Sequence, residues 1–231
     1  MKEQSKSNVG NITMLLKLPS GFKISIPPVF FWERRHARLS IRSRSVFHPD
    51  HITSRLCLEL LDRHLSSLPC RSLLDIGCGS GILALAASRM GVPLVAGVDI
   101  DPRAIELSRE NAVKNQLADR AHWVLGSTAA LRGPFDCLVA NLPYGVIDAV
   151  ADDFPRLLDP EGHLILSGFH DIQWHEVNEK LAAAGMDIEH TCSGDRSFFG
   201  EPPSGSFTWM AIRARKRHVA TKTGPISRES T

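Results

Sequence analysis

A glycine-rich segment preceded by an acid contains the residues whose spacing most clearly supports ligand binding. Residues 75–81 read Asp-Ile-Gly-Cys-Gly-Ser-Gly and separate a short apolar run from an Ala- and Leu-rich stretch. Glycines at such a strand-to-helix turn permit a tight bend and close approach of a ligand to the main chain. The helix start beyond them offers free N–H groups. The candidate ligand-binding residues of this segment are Asp75, Gly77, Cys78, Gly79 and Gly81.

The acid in front of the glycines indicates the charge of the ligand. A dinucleotide-binding turn has the spacing G-x-G-x-x-G, whereas this one has G-x-G-x-G. A carboxylate at Asp75 would repel a pyrophosphate in a partly buried site. The same carboxylate suits the ammonium end of S-adenosylmethionine, directly or through water. The turn therefore predicts S-adenosylmethionine as cofactor and disfavours a nicotinamide dinucleotide.

Two further segments complete the predicted cofactor site. Asp99 ends the next apolar run, where an acid can accept hydrogen bonds from both ribose hydroxyls, and Ile100 is expected to pack on the adenine. Asp101, just before Pro102, is expected to cap the following helix. After the third apolar run no acid is present, and Ser127 is the polar candidate beside the adenine.

The tetrapeptide Asn141-Leu142-Pro143-Tyr144 is the candidate methyl-acceptor site. The Asn141 side-chain oxygen and the Leu142 carbonyl can accept N–H bonds from a target amine, and Asn141 is also a candidate cofactor contact. Pro143 stiffens the turn, and Tyr144 offers a π-face. The alternative interpretation is an ordinary turn after a strand, with Tyr144 packed on the core.

Alternating strand and helix patterns must position these residues. They predict an α/β fold, a Rossmann-like seven-stranded sheet with helices on both faces. The predicted strands cover 72–76, 94–98, 121–125, 135–140, 163–167, 186–191 and 207–212, the last two as an antiparallel pair. The predicted helices cover 81–90, 102–115, 146–158 and 172–184, and a turn is expected at 159–162.

Three regions are expected along the chain. Residues 1–46 form an N-terminal leader with a candidate hairpin at 14–27 and an irregular basic connector. Residues 47–213 form the cofactor-binding domain and open with a helix near His48 and His51, which are interpreted as caps or surface groups more readily than as proton shuttles. Residues 214–231 form a basic flexible tail. The arginines of the connector leave two interpretations open, a grip on phosphates or an acidic partner, and a solvated face.

Composition narrows the class of protein. The chain has 231 residues and a net charge of +2, which does not demand a nucleic-acid partner. It has no apolar run of membrane-spanning length and no signal-peptide pattern, so a cytoplasmic protein without membrane association is expected. Five cysteines without a C-x-x-C pair argue against a disulfide framework or zinc, and no metal site is predicted.

Residues 72–115 resemble class I S-adenosylmethionine-dependent methyltransferases. The stretch from Asp99 to Asn115 and the segment Thr53 to Glu59 resemble the methyltransferases that modify large-subunit ribosomal protein eleven. The resemblance implies an N-methyltransferase acting on a protein amine, with a ribosomal protein as a candidate partner. Two features depart from that family. Fewer than fifty residues precede the domain, and Asn141-Leu142-Pro143-Tyr144 replaces the family's Asn-Ile-Leu signature.

Two alternatives remain at this point. The Asn-Leu-Pro-Tyr motif is similar to that of adenine dimethyltransferases of ribosomal RNA, which favours an RNA adenine N-methyltransferase with RNA as partner. A cofactor-binding module without turnover is the other alternative. The sequence does not indicate the number of methyl groups added or the oligomeric state.

Overall fold

The computed structural model describes residues 14–18, 23–26, 38–43, 51–194 and 207–217. The strands are β1 Met14–Lys17, β2 Lys23–Ile26, β3 Arg38–Ser40, β4 Ser72–Ile76, β5 Leu94–Asp99, β6 Ala121–Leu125, β7 Phe135–Asn141, β8 Leu158–His170, β9 Met186–Gly194 and β10 Trp209–Lys216. The helices are α1 Ile52–Ser67, α2 Ile82–Arg89, α3 Pro102–Lys114, α4 Tyr144–Val150, α5 Phe154–Leu157 and α6 Trp174–Ala183. Short 3-10 turns precede or join several of them.

Seven strands form one sheet in the order β6-β5-β4-β7-β8-β10-β9. Strands β4 to β8 are all parallel to one another, and β10 runs antiparallel to its two neighbours, β8 and β9. Parallel strands need a crossover connection, which contains an α-helix after β4, β5 and β7 and a short 3-10 turn after β6. The predicted α/β class and seven-stranded sheet are confirmed.

Side chains of the central strands point alternately to two hydrophobic layers, as the pleat requires. Leu73 and Val139 pack with α1 and α2 on one face. Leu74 and Leu138 pack with α4, α5 and α6 on the other. Both faces are covered, which explains why these strands are continuously apolar in the sequence.

The N-terminal region forms a second, three-stranded sheet in the order β1-β2-β3. The antiparallel pairing of β1 with β2 agrees with the expected hairpin. The irregular connector was expected to include 38–40, and this is wrong, because β3 pairs parallel with β2 there. Leu39 and Ile41 are fully buried in the same layer as α1 and α2, so this segment packs on the domain and is not separate from it. The connector's Arg34, Arg35 and Arg44 lie outside the described residues.

Two predicted boundaries differ from the structure. Residues 159–162, expected to form a turn, lie within β8 as an irregular bulge, since Phe135 pairs with Leu158 and Cys137 with His163. The flexible tail was predicted to begin at residue 214, but β10 continues to Lys216. Its side chain donates to the carbonyl oxygens of Pro155 (2.7 Å) and Leu158 (3.2 Å), which fixes the strand end on the domain. The tail beyond residue 217 lies outside the described residues.

Among the described residues, no helix combines the length and apolar character required to cross a membrane.

Candidate functional site

Two adjoining pockets open at the carboxyl edge of the parallel strands, where open α/β sheets bind ligands. The larger has a volume of about 440 Å³ and lies between the glycine turn and the ends of β5, β6 and β7. The smaller, of about 270 Å³, lies between α1, the end of β8 and β10. The two share one wall, formed by Asn141, Leu142 and Pro143.

The glycine turn approaches the shared wall closely at Gly77. This residue has a φ of +70°, and its N–H donates to the Val98 carbonyl at 2.8 Å. A Cβ at position 77 would lie 2.3 Å from Cδ2 of Leu142. Glycine is therefore required at position 77 both by the backbone conformation and by the close approach of the Leu142 side chain. Gly77 and Gly79 both line the larger pocket.

Asp99 lies at the end of β5 and lines the larger pocket. Its Oδ2 accepts the Gly79 N–H at 3.0 Å, and its Oδ1 accepts the Asp101 N–H at 2.9 Å. An ionised carboxylate has about four lone-pair sites, so two remain for ligand hydroxyls. Asp99 therefore ties the glycine turn to β5 and still has the capacity to hold a ribose.

Asp75, which is predicted to meet the ammonium end of the cofactor directly or through water, lines neither of the two pockets. Its side chain is 1% exposed, and its Oδ2 accepts the Ala84 N–H at 3.1 Å. Ala84 is in the first turn of α2, whose preceding residue Gly81 has no side chain to cap it. Burial raises the pKa of Asp75 to about 7, the Ala84 N–H opposes this, and nearby Asp99 adds to it. In the structure the Asp75 carboxyl group therefore caps the start of α2.

Cys78 and Gly81 also lie behind the turn, outside the pocket lining. Burial raises the pKa of the Cys78 thiol, whose Sγ is 3.7 Å from Oγ of Ser108. A Cβ at Gly81 would lie 2.7 Å from the Trp123 ring. These residues shape the turn by packing, and their predicted role in cofactor binding stays a prediction.

The remaining predicted cofactor residues line the larger pocket. Ile100 is 77% exposed at its mouth, and Ser127 lies on the loop after β6. Asp101 accepts the Arg103 N–H at 2.9 Å, which confirms it as the N-cap of α3. The lining is otherwise largely aliphatic, with Val98, Val146 and Val150 among its members.

The candidate acceptor site, residues 141–144, is fixed by three hydrogen bonds. Nδ2 of Asn141 donates to Oγ of Ser54 on α1 at 3.1 Å, which fixes the side-chain amide. The Leu142 N–H donates to the Ser167 carbonyl at 3.1 Å. The Pro143 carbonyl accepts the Val146 N–H at 2.8 Å and so begins α4. Asn141, Leu142 and Pro143 are thus rigid elements of the wall between the pockets.

Tyr144 lines only the smaller pocket and also packs against the hydrophobic layer around α4 to α6. Partial burial, followed by Glu176 and Asp148, raises the pKa of its hydroxyl. The expected π-face and the expected core packing are therefore both present in one side chain.

The smaller pocket contains aromatic residues that the sequence did not single out. The rings of His170 and Trp209 lie 3.7 Å apart between centroids, and His51 contacts Trp209 edge-on at 4.9 Å. His51 is the N-cap of α1, which agrees with its interpretation as a cap or surface group. His48 lies outside the described residues. His170 and Trp209 belong to different strands, β8 and β10, and no local pattern links them. The one signal available was the end of a strand, where Gly168 and His170 follow an apolar run.

Tyr144 and His170 are the ionisable residues among the described lining residues of the smaller pocket. Its other lining residues are Thr53, Gly168 and Gln173, and no carboxylate, lysine or arginine is among the lining residues described. Glu176 and Asp148 act on the Tyr144 hydroxyl from outside this lining. A neutral amine in the pocket would meet hydrogen-bond acceptors and aromatic faces.

Metal ligation has no support within the described ranges, where no group of three or more His, Cys, Asp or Glu side chains is suitably placed. The five cysteines are free thiols, three of them buried.

The chain is similar in sequence to proteins of one family. A sequence model described as "Ribosomal protein L11 methyltransferase (PrmA)" matches residues 49–196. A ribosomal protein L11 methyltransferase of Sorangium cellulosum is 35% identical over 173 residues, covering 71% of this chain and 54% of that protein. One of Azotobacter vinelandii is 46% identical over 135 residues, covering 58% of this chain and 45% of that protein. The chain therefore spans about half the length of the curated relatives that it matches.

The fold is similar to that of solved structures. The crystal structure of ribosomal protein L11 methylase from Lactobacillus delbrueckii subsp. bulgaricus superposes with a TM-score of 0.71 at 22% identity. The match covers 84% of this chain and 95% of that one. At this identity the likeness concerns the fold alone.

Proposed function

Since the chain belongs to the ribosomal protein L11 methyltransferase family, we propose that it transfers a methyl group from S-adenosylmethionine to an amine nitrogen of a protein. Ribosomal protein L11 is the first candidate acceptor, because the curated relatives are named for it. The observation that best supports methyl transfer is the pair of pockets separated by Asn141, Leu142 and Pro143. A donor and an acceptor held on the two sides of this wall would meet at its edge.

The larger pocket fits the donor. Asp99 has free lone pairs for ribose hydroxyls, and the aliphatic lining suits a purine ring. Gly77 and Gly79 leave main-chain room for the methionine part of the donor. The cationic end of the donor is compatible with the acidic surroundings, since Asp99 and Asp101 line the pocket and Asp75 lies behind it.

The smaller pocket fits the acceptor nitrogen. When bound, S-adenosylmethionine supplies a methyl group on a positively charged sulfur. The sulfur leaves as the neutral thioether of S-adenosylhomocysteine and needs no proton to do so. The task of the protein is therefore mainly to align the acceptor. Ser54 fixes Asn141 through its Nδ2, so the Asn141 side-chain oxygen remains to accept an N–H from the acceptor. An amine held in this way keeps its lone pair for the attack on the methyl carbon.

The lining of the smaller pocket bears on the protonation state of the acceptor amine. A lysine amine has an ordinary pKa of about 10.4 and must lose a proton before it can attack. No carboxylate is among the described lining residues, so removal of an ammonium ion from water into this pocket is poorly compensated, which supports binding of the reactive neutral amine. The aromatic faces of Tyr144 and Trp209 can then stabilise the positive charge that develops on nitrogen.

Methyl transfer is tested with labelled donor. The purified chain is incubated with tritiated S-adenosylmethionine and either ribosomal protein L11 or ribosomal RNA, and the products are treated with protease or ribonuclease. Protease-sensitive label on L11 is the expected result. Ribonuclease-sensitive label would instead support the adenine alternative. S-adenosylhomocysteine binding without any labelled product would support the non-catalytic alternative.

Asn141→Ala separates the acceptor from the donor. Loss of the side-chain oxygen should lower the methyl-transfer rate by about 10²-fold, since a positioned polar group is removed from the reacting centre. The dissociation constant of S-adenosylhomocysteine, measured by calorimetry, should change less than about threefold. Ser54→Ala is the matched control, because it leaves Asn141 in place without its hydroxyl partner and should lower the rate by less. Full activity of Asn141→Ala would contradict the acceptor assignment.

A further inference from the structure

Asn111 of helix α3 and Asn115, the C-cap residue of that helix, hold the N-terminal segment 38–43 by its backbone. The Ser40 N–H donates to Oδ1 of Asn115 at 2.7 Å, and Nδ2 of Asn115 donates to the Ser40 carbonyl at 2.7 Å. Asn111 repeats the pattern two residues on, with the Arg42 N–H donating to its Oδ1 at 2.8 Å and its Nδ2 donating to the Arg42 carbonyl at 3.1 Å. Each side-chain amide thus pairs with both polar groups of one residue.

The spacing explains why this arrangement fits. Residues four apart on a helix are separated by about 6 Å along its axis. Alternate residues of a strand are separated by about 6.6 Å. Asn111 and Asn115 therefore present two amides at the repeat of an extended chain, in the manner of a neighbouring strand. The contact uses only backbone groups of residues 40 and 42.

Asn111 makes one contact that Asn115 lacks. Its Nδ2 also donates to the Ser80 carbonyl at 2.9 Å, and Ser80 is part of the glycine turn. Apart from its bonds to residue 40, the Asn115 side chain donates from Nδ2 to the Asn111 carbonyl, which belongs to α3. Asn111 is fully buried, and Asn115 is 6% exposed. Asn111 is accordingly a direct link between segment 38–43 and the turn that lines the larger pocket.

We propose that Asn111 is a positioning residue for the methyl donor, acting through the Ser80 carbonyl to hold the glycine turn while its other bonds hold the N-terminal segment. Asn111 does not line the pocket and has no contact with the donor site itself. The inference rests on the proposed function in one respect, since the ligand used to test it is S-adenosylhomocysteine.

Asn111→Ala and Asn115→Ala form a matched pair. Both variants remove two bonds to the backbone of segment 38–43, so both should lower the melting temperature by several degrees. Only Asn111→Ala also frees the Ser80 carbonyl, and it should weaken S-adenosylhomocysteine binding about tenfold, whereas Asn115→Ala should leave binding within about twofold. Equal changes in affinity for the two variants, or no change in either, would assign both residues a purely structural role and overturn the proposal.

Amide hydrogen exchange of the unmodified protein tests the same link without a variant. Coupling between two sites is reciprocal, so a ligand that orders the glycine turn must also stabilise what is bound to Asn111. Saturating S-adenosylhomocysteine should slow exchange at the Arg42 N–H more than at surface amides of α6. Binding with unchanged exchange at Arg42 would overturn this proposal alone. Failure of the wild-type protein to bind S-adenosylhomocysteine would overturn the proposed function as well.

Discussion

Replacing Asp75 with Asn should remove a pH dependence that this buried carboxyl group imposes on folding. The side chain is 1% exposed and caps α2 through the Ala84 N–H. Asn keeps the shape and an oxygen that can accept the same hydrogen bond, so the cap is retained. Only the charge is lost, and the variant therefore isolates the cost of ionising a buried carboxylate.

The size of the effect follows from the pKa. Burial raises the pKa of Asp75 from 3.8 to about 7 in the folded protein. Each pKa unit corresponds to about 1.4 kcal/mol, so the shift of about 3 units amounts to about 4 kcal/mol. Because the folded pKa is the higher one, this stability is present at low pH and is lost as the pH rises from about 4 to about 7. Between pH 5 and pH 8 the loss should be about 3 kcal/mol.

Urea unfolding of wild type and Asp75→Asn at pH 5 and pH 8 measures this difference. Other titrating groups contribute equally to both proteins, so the difference between the two pH dependences reports Asp75 alone. The variant should gain about 3 kcal/mol relative to wild type on going from pH 5 to pH 8. Parallel pH profiles would show that Asp75 has an ordinary pKa and would refute the burial argument.

The same variant tests the charge that the sequence assigned to cofactor binding. If a cationic ligand requires the ionised form, only about one tenth of the free protein is competent at pH 6, and S-adenosylhomocysteine should bind about tenfold more weakly there than at pH 8. Asp75→Asn should abolish this dependence and bind weakly at both values. A variant with wild-type affinity at pH 8 would limit Asp75 to the capping role.

Further predictions concern backbone fit and a buried histidine. Gly168 has a φ of +106°, and a Cβ there would lie 1.9 Å from the Leu142 carbonyl oxygen, so Gly168→Ala should cost about 3 kcal/mol in urea unfolding. Gly145→Ala is the control, since its Cβ would meet nothing within 4 Å and should stabilise α4 by less than about 1 kcal/mol; equal effects would contradict the clash. Gly77→Ala should weaken S-adenosylhomocysteine binding more than tenfold, and adding Leu142→Ala should recover part of the loss, whereas additive losses would argue against their contact. His64 is 1% exposed, and burial, followed by His163 and Arg213, lowers its pKa from 6.5 to about 4. The lower folded pKa means that stability present above pH 6.5 is lost as the pH falls toward 4, by up to about 3 kcal/mol, and His64→Leu should remove that part of the acid sensitivity in urea unfolding; parallel acid profiles would refute it.

Local sequence patterns were sufficient to predict the sheet and the edge at which the site lies. The alternation of strands and helices predicted helices on both faces of the sheet, and both faces are covered by helices. Gly77, Asp99 and Asn141 end or follow parallel strands that are neighbours in the sheet, and such strand ends meet at one edge. Their convergence on one pocket follows from the alternation of strands and helices. This alternation can be predicted from residue types and from the periodicity of apolar residues.

Long-range packing decided the rest. The direction of the Asp75 side chain depends on the position of α2, which offers the Ala84 N–H to a carboxylate that the sequence had assigned to a ligand. The aromatic wall of the smaller pocket depends on the antiparallel pairing of β8 with β10, which brings His170 beside Trp209. The strand at 38–40 depends on Asn111 and Asn115, more than sixty residues away in the chain. Local periodicity indicates which residues are buried, whereas the partner of a buried polar group is determined only when distant elements come together.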